Sequence, residues 1–157
     1  MNFKILLNLL IISTIFAEFE HIHKHSHNNE VGIAFGIVPS QDGGNNNLGF
    51  HLHYIKGFGK HNKFGIGISS ETIFDEHKHN SISLMGTYHF NRGYTIAYAP
   101  GILFSDHNGE SEIELTQHFE FYYEFEIRQF HIGPQFDIGF EDGVIHYMLG
   151  LHLGINF

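Results

Sequence analysis

EIELTQHFEFYYEFEI, residues 112–127, alternates without a break. Glu112, Glu114, Thr116, His118, Glu120, Tyr122, Glu124 and Glu126 share one parity. Ile113, Leu115, Gln117, Phe119, Phe121, Tyr123, Phe125 and Ile127 share the other. A period of two belongs to a β-strand, whose successive side chains point to opposite faces; a helix would mix the two sets on every side. At about 3.3 Å per residue this strand is about 50 Å long, against ~17–20 Å for an ordinary globular strand. Such a length crosses a bilayer at a tilt and projects beyond it. One face is greasy and the other acidic, so the fold turns on which of them faces inward.

The same pattern recurs along the chain. Strands are predicted at 31–38, 48–56, 63–74, 81–90, 94–105, 112–127, 130–141 and 144–157, separated by turns such as Asn91-Arg92-Gly93 and Asp142-Gly143. An even number of strands joined by short hairpins fits an all-β, up-and-down antiparallel barrel. The last strand sets Ile145, Tyr147, Leu149, Leu151, Leu153, Ile155 and Phe157 against His146, Met148, Gly150, His152, Gly154 and Asn156. An eight-stranded barrel has an interior just wide enough for side chains to fill. The apolar faces are too bulky to fit there, whereas the polar faces carry Gly49, Gly65, Gly67, Gly133, Gly139, Gly150 and Gly154. The greasy side is therefore expected outside, surrounded by lipid, with Tyr94, Tyr98, Tyr123 and Tyr147 in interfacial girdles.

Composition narrows the function. The chain carries a formal charge of −9 at pH 7, more negative still once Lys4 leaves with the leader. It lacks the clustered Lys and Arg that nucleic-acid binding needs. It has no Cys, which excludes disulfides, thiolate metal ligands and a lipid-anchored lipoprotein. Its 15 His outnumber its 8 Lys and Arg together. Residues 1–17, MNFKILLNLLIISTIFA, read as a cleaved signal peptide with Lys4 at its start and Ala17 before the cut. Residues 18–30 read as a flexible periplasmic arm with alternating His21, His23, His25 and His27. The barrel is assigned to 31–157.

The phrases IFDEHKHN, YEFEI and FHIGP, and the ending LGLHLGINF closed by Phe157, resemble a family of small eight-stranded outer-membrane β-barrels of Gram-negative bacteria. The resemblance covers most of residues 48–157. It implies location in the cell outer membrane, insertion by the barrel-assembly machinery and contact with outer-membrane lipids, with no assigned reaction. In such barrels the loops at 39–47, 75–80, 106–111 and 141–143 face outside, and the turns at 57–62, 91–93 and 128–129 face the periplasm. A monomer is expected.

With the polar face inward, the lumen gathers His51, His53, His118, His131, His146 and His152, with His89 nearer one rim. Glu71, Glu114, Glu120, Glu124, Glu126, Asp137 and Glu141 stand among them. No Lys or Arg lies mid-strand to balance these carboxylates. A divalent cation, an imidazolium or a proton would do so, and imidazole beside carboxylate is a ligand pairing for zinc-like ions. Zn, Cu or Ni ions are the implied cofactors. The loop residues Asp75, His77 and His79 form a second candidate group at the external rim. The plainer alternative is a structural or surface-interaction barrel whose His–Glu hydrogen bonds only pack the core. A lipid-modifying enzyme is the third reading. Ser69, Ser70, Ser81, Ser83 and Ser105 are the candidate nucleophiles for it, but no local signature supports catalysis. No catalytic residue is assigned.

Overall fold

In the computed structural model, residues 28–40, 45–75, 79–90, 93–107, 110–141 and 144–157 are described. The signal peptide at 1–17, the four arm histidines and His77 lie outside them. The strands are β1 (Asn29–Val38), β2 (Asn47–Phe58), β3 (Phe64–Phe74), β4 (Asn80–His89), β5 (Tyr94–His107), β6 (Glu110–Tyr123), β7 (Phe125–Ile127), β8 (Phe130–Glu141) and β9 (Val144–Asn156). Both β6 and β7 pair with β8 in one unbroken register, Tyr122 opposite Gln135 and Phe125 opposite Ile132. They are one long strand interrupted at Glu124, as residues 112–127 led us to expect, so the nine segments make eight staves. Every neighbour is antiparallel, and β9 closes on β1.

Stagger follows from the registers. From Phe58 the pairings lead through Phe64, Tyr88, Ile96, Phe121, Phe136, Leu149 and Ile37 back to β2 at Leu48, ten residues from the start. Closure with such a shear tilts the strands by about 35–45° and leaves a bore that side chains fill.

Orientation is decided by neighbouring residues on single strands. His118 is 3% exposed, Asp137 0% and His152 0%, whereas Phe119, Phe136 and Leu151 are 39%, 38% and 42% exposed. The polar parity faces in and the apolar parity faces out. At the end carrying Asn29 and Phe157, the termini of the described barrel, Phe58, Phe64, Tyr88 and Phe90 are in successive ring contact at 5.9, 5.2 and 4.7 Å. Tyr94, Tyr123 and Phe125 continue this belt at 4.7 and 4.5 Å. Tyr98 donates to Gln117 Oε1 at 2.8 Å within the outer wall, and Tyr147 stacks on Phe136.

One correction concerns the arm. β1 starts at Asn29, whose N–H donates to the Phe157 carbonyl at 3.1 Å, and Glu30 is 5% exposed inside the barrel. Asn29 and Glu30 therefore belong to the first strand. Small residues beside the histidines make the interior possible. His53 pairs with Gly32, His51 with Ala34, His118 with Ala99 and Gly139, His131 with Gly154, His146 with Gly139, and His152 with Gly133. Apolar side chains fill what remains: Val38, Ile73 and Met148 in one cluster, and Ile55, Met85, Ala97, Ala99 and Tyr122 in another.

Candidate metal centres

Inward parity brings seven histidines into the lumen, His51, His53, His89, His118, His131, His146 and His152, with six carboxylates, Glu30, Glu71, Glu120, Glu124, Asp137 and Glu141. No Lys or Arg is buried among the described residues. Charge balance in this low-dielectric space must come from protons or cations held by these groups themselves. The groups divide between the two ends of the bore.

The centre farther from the termini is built around Glu71 of β3, which reaches across the narrow lumen. Glu71 Oε2 lies 3.3 Å from His118 Nδ1 and Glu71 Oε1 lies 3.6 Å from His146 Nε2. Asp137 Oδ2 lies 3.4 Å from the same His118 nitrogen, and His51 Nδ1 lies 3.9 Å from Glu71. The far sides of both imidazoles are held as well. The Thr116 hydroxyl meets His118 Nε2 at 2.9 Å, and Glu141 Oε2 lies 3.5 Å from His146 Nδ1. A carboxylate or hydroxyl behind a ligand histidine fixes its ring and tautomer. Among the described residues, neither Glu71 oxygen, neither Asp137 oxygen and neither His118 Nδ1 nor His146 Nε2 makes a hydrogen bond. They approach one another without aligning as donor and acceptor.

Nearer the termini, Glu30 Oε1 receives three imidazole nitrogens: His53 Nε2 at 3.0 Å, His131 Nε2 at 3.4 Å and His152 Nε2 at 3.9 Å. Glu124 Oε1 lies 3.4 Å from His131 Nε2, and Glu124 Oε2 accepts from the Thr95 hydroxyl at 2.7 Å. Four donor groups at ligand spacing exist among the described residues: Glu30–His53–His152, Glu124–His131–His152, Glu71–His118–His146 and His51–Glu71–Asp137.

The chain is similar to several solved structures. Neisserial surface protein A matches with TM-score 0.56 and 10% identity over 82% of this chain and 96% of that one. The Yersinia pestis attachment invasion locus protein Ail matches with TM-score 0.54 and 20% identity over 83% and 97%. The N-terminal β-barrel domain of Pseudomonas aeruginosa OprF matches with TM-score 0.51 and 17% identity over 83% and 98%. This chain has the fold of the small eight-stranded outer-membrane β-barrels. No protein-family model and no curated protein matches it.

Within this outer-membrane-type barrel, most residues singled out from the sequence do meet. His51, Glu71, His118, Asp137 and His146 join at one end, and His53, His131 and His152 at the other. Glu120 is fully enclosed between them, accepting from Gln135 Nε2 at 3.1 Å and lying 3.6 Å from His51 Nδ1, outside the four groups. Asp75 and His79 pair with each other beside the 75–80 loop and join none of the four groups. Glu30 was missed as a donor. It continues the inward parity of Gly32, Ala34, Gly36 and Val38, but the run of histidines and asparagines before it drew the boundary too late. As for nucleophiles, Ser69, Ser81, Ser83 and Ser105 are enclosed in the bore, while Ser70 lies on the outer wall between Leu52 and Ile82.

Proposed function

We propose that this chain is a non-enzymatic outer-membrane barrel whose interior binds a divalent transition-metal ion through Glu71, His118, His146 and Asp137. The observation that supports it is the convergence of two carboxylates and two imidazoles at 3.3 to 3.6 Å without hydrogen bonds among them. Donors around a zinc-like ion, bound at about 2.0–2.2 Å, stand at comparable separations from each other. Imidazole with carboxylate suits Zn, Cu and Ni. In this reading the apolar outer wall sits in the lipid of a Gram-negative outer membrane, the signal peptide directs export, and the termini lie on the periplasmic side. The histidine arm at 18–27 then hangs in the periplasm as a low-affinity collector of the same ions.

The test uses full-length protein, purified without a tag, with His21, His23, His25 and His27 changed to Asn so that the arm does not report. Zinc at one hundred times its dissociation constant should stabilise the barrel by about 2.7 kcal/mol. Glu71→Gln should remove most of that gain from this centre. No rise in melting temperature with zinc, copper or nickel would leave a barrel whose histidines only pack.

A further inference from the structure

We infer that the half of the bore nearest Asn29 and Phe157 is a second, separate metal centre, in which His53, His131, His152 and Glu30 take a zinc-class divalent cation. It rests on the reading that the interior binds metal, but shares no ligand with the Glu71 centre.

Convergence here is on a single atom. Three Nε2 atoms face one oxygen, Glu30 Oε1, at 3.0, 3.4 and 3.9 Å. Four donors at about 2.0–2.1 Å from a tetrahedral ion would stand roughly 3.3 Å apart. Glu30, His53 and His152 already form one group at ligand spacing, and His131 adjoins it through the Glu30 oxygen and shares a second group with His152. Both nitrogens of His152, a fully enclosed side chain, lack a hydrogen bond among the described residues, as does His131 Nε2. The three rings are braced on each other, His152 lying 5.1 Å from His53 and 5.0 Å from His131 between centroids. The Tyr122 ring packs on the same group, 4.6 Å from that of His152 and 6.4 Å from that of His53.

Two glycines make this arrangement possible. A Cβ at Gly32 would stand 2.3 Å from His53 Nε2 and 2.6 Å from His152 Nε2; one at Gly154 would stand 1.9 Å from His131 Nε2. Any other residue would push those nitrogens out of convergence. Charge is matched too. Glu30 and Glu124, whose Oε1 lies 3.4 Å from His131 Nε2, together balance a dication, while neutral imidazoles supply the borderline nitrogen donors. The Asn156 amide lies 3.3 Å from His131 Nδ1 and, with its oxygen turned inward, would accept from that nitrogen and hold the ring for coordination. A cavity of about 20 Å³, lined by Glu30, Gly57, His89 and Asn156 among others, adjoins the centre at the termini end. An ion would be loaded from that end, independently of the Glu71 centre.

The experiment is a cobalt(II) titration of the full-length chain in detergent, with the four arm histidines changed to Asn and Glu71→Gln disabling the first centre. Visible absorption reads coordination geometry, and elemental analysis after dialysis reads stoichiometry. One tightly held ion per chain with tetrahedral cobalt absorption is expected. Adding Glu30→Gln should weaken binding by more than about 100-fold, beyond the 10–100-fold expected for Asn156→Leu as an outer-shell partner. If Glu30→Gln unfolds the barrel, judged by circular dichroism, His152→Gln is read in its place. Binding by the Glu71 chain but none by Glu71→Gln overturns this centre and leaves the first standing. Binding by neither overturns both. Unchanged affinity in the Glu30→Gln or His152→Gln chain removes those ligands and with them the inference.

Discussion

Gly133→Val is expected to prevent assembly of the barrel, at a cost of about 4 kcal/mol or more. A Cβ at position 133 would stand 1.5 Å from the Tyr123 carbonyl oxygen and 2.7 Å from its carbon. Those are backbone atoms, so no rotamer change relieves the overlap. The long strand breaks its regular pattern at Glu124, directly across from Gly133, and the Glu124 N–H donates instead to the Gly93 carbonyl at 2.8 Å. A glycine at such a place lets one strand press against the bend of its neighbour, as curved sheets require. The comparison is Gly86→Ala on the outer wall, where an added Cβ meets nothing nearer than 4.0 Å and stability should move by less than about 0.5 kcal/mol. Urea unfolding in lipid vesicles, followed by circular dichroism because the chain has no Trp, separates the two outcomes.

Leu149→Arg should cost about 2–4 kcal/mol in a bilayer, whereas Ile145→Arg, on the same outward face near the strand's end, should cost about 0–1 kcal/mol. Leu149 stands mid-way along β9, is 65% exposed, and is flanked by the outward side chains of Ile37 and Phe136. A guanidinium there must leave the headgroup region and enter hydrocarbon. The difference between the two positions is the informative quantity, since a wall bathed in water would accept arginine equally well at either. Equal small costs would place the apolar parity outside any membrane.

Most of this architecture was legible in the alternation of residues 112–127 and 144–157, because a strand's side chains have only two directions to choose from. The bulk of Phe119, Phe136 and Leu151 against the slightness of Gly139, Gly150 and Gly154 settled which direction was inward. Pairing within the bore was less legible. His118 and Glu71 lie on strands far apart in sequence, and their meeting depends on the ten-residue stagger, which is set by turn geometry and by closure of β9 on β1. Glu30 was concealed by its polar neighbours, although its parity was correct. Glu120 and Asp137 stand opposite each other in the register, yet Asp137 turns to His118 of the Glu71 centre and Glu120 accepts from Gln135. A pattern of period two fixes faces, but it does not fix heights.

The most direct test uses the absence of native cysteine, which makes any introduced thiol unique. Met148 and Leu149 are adjacent, at 0% and 65% exposure. In vesicles, a fluorophore attached at Leu149→Cys should be quenched by lipids brominated on their acyl chains. Met148→Cys should resist a water-soluble maleimide until the barrel is unfolded. Rapid labelling at 148, together with a 149 thiol shielded from both lipid and water, would contradict the inward polar face and every metal centre built on it.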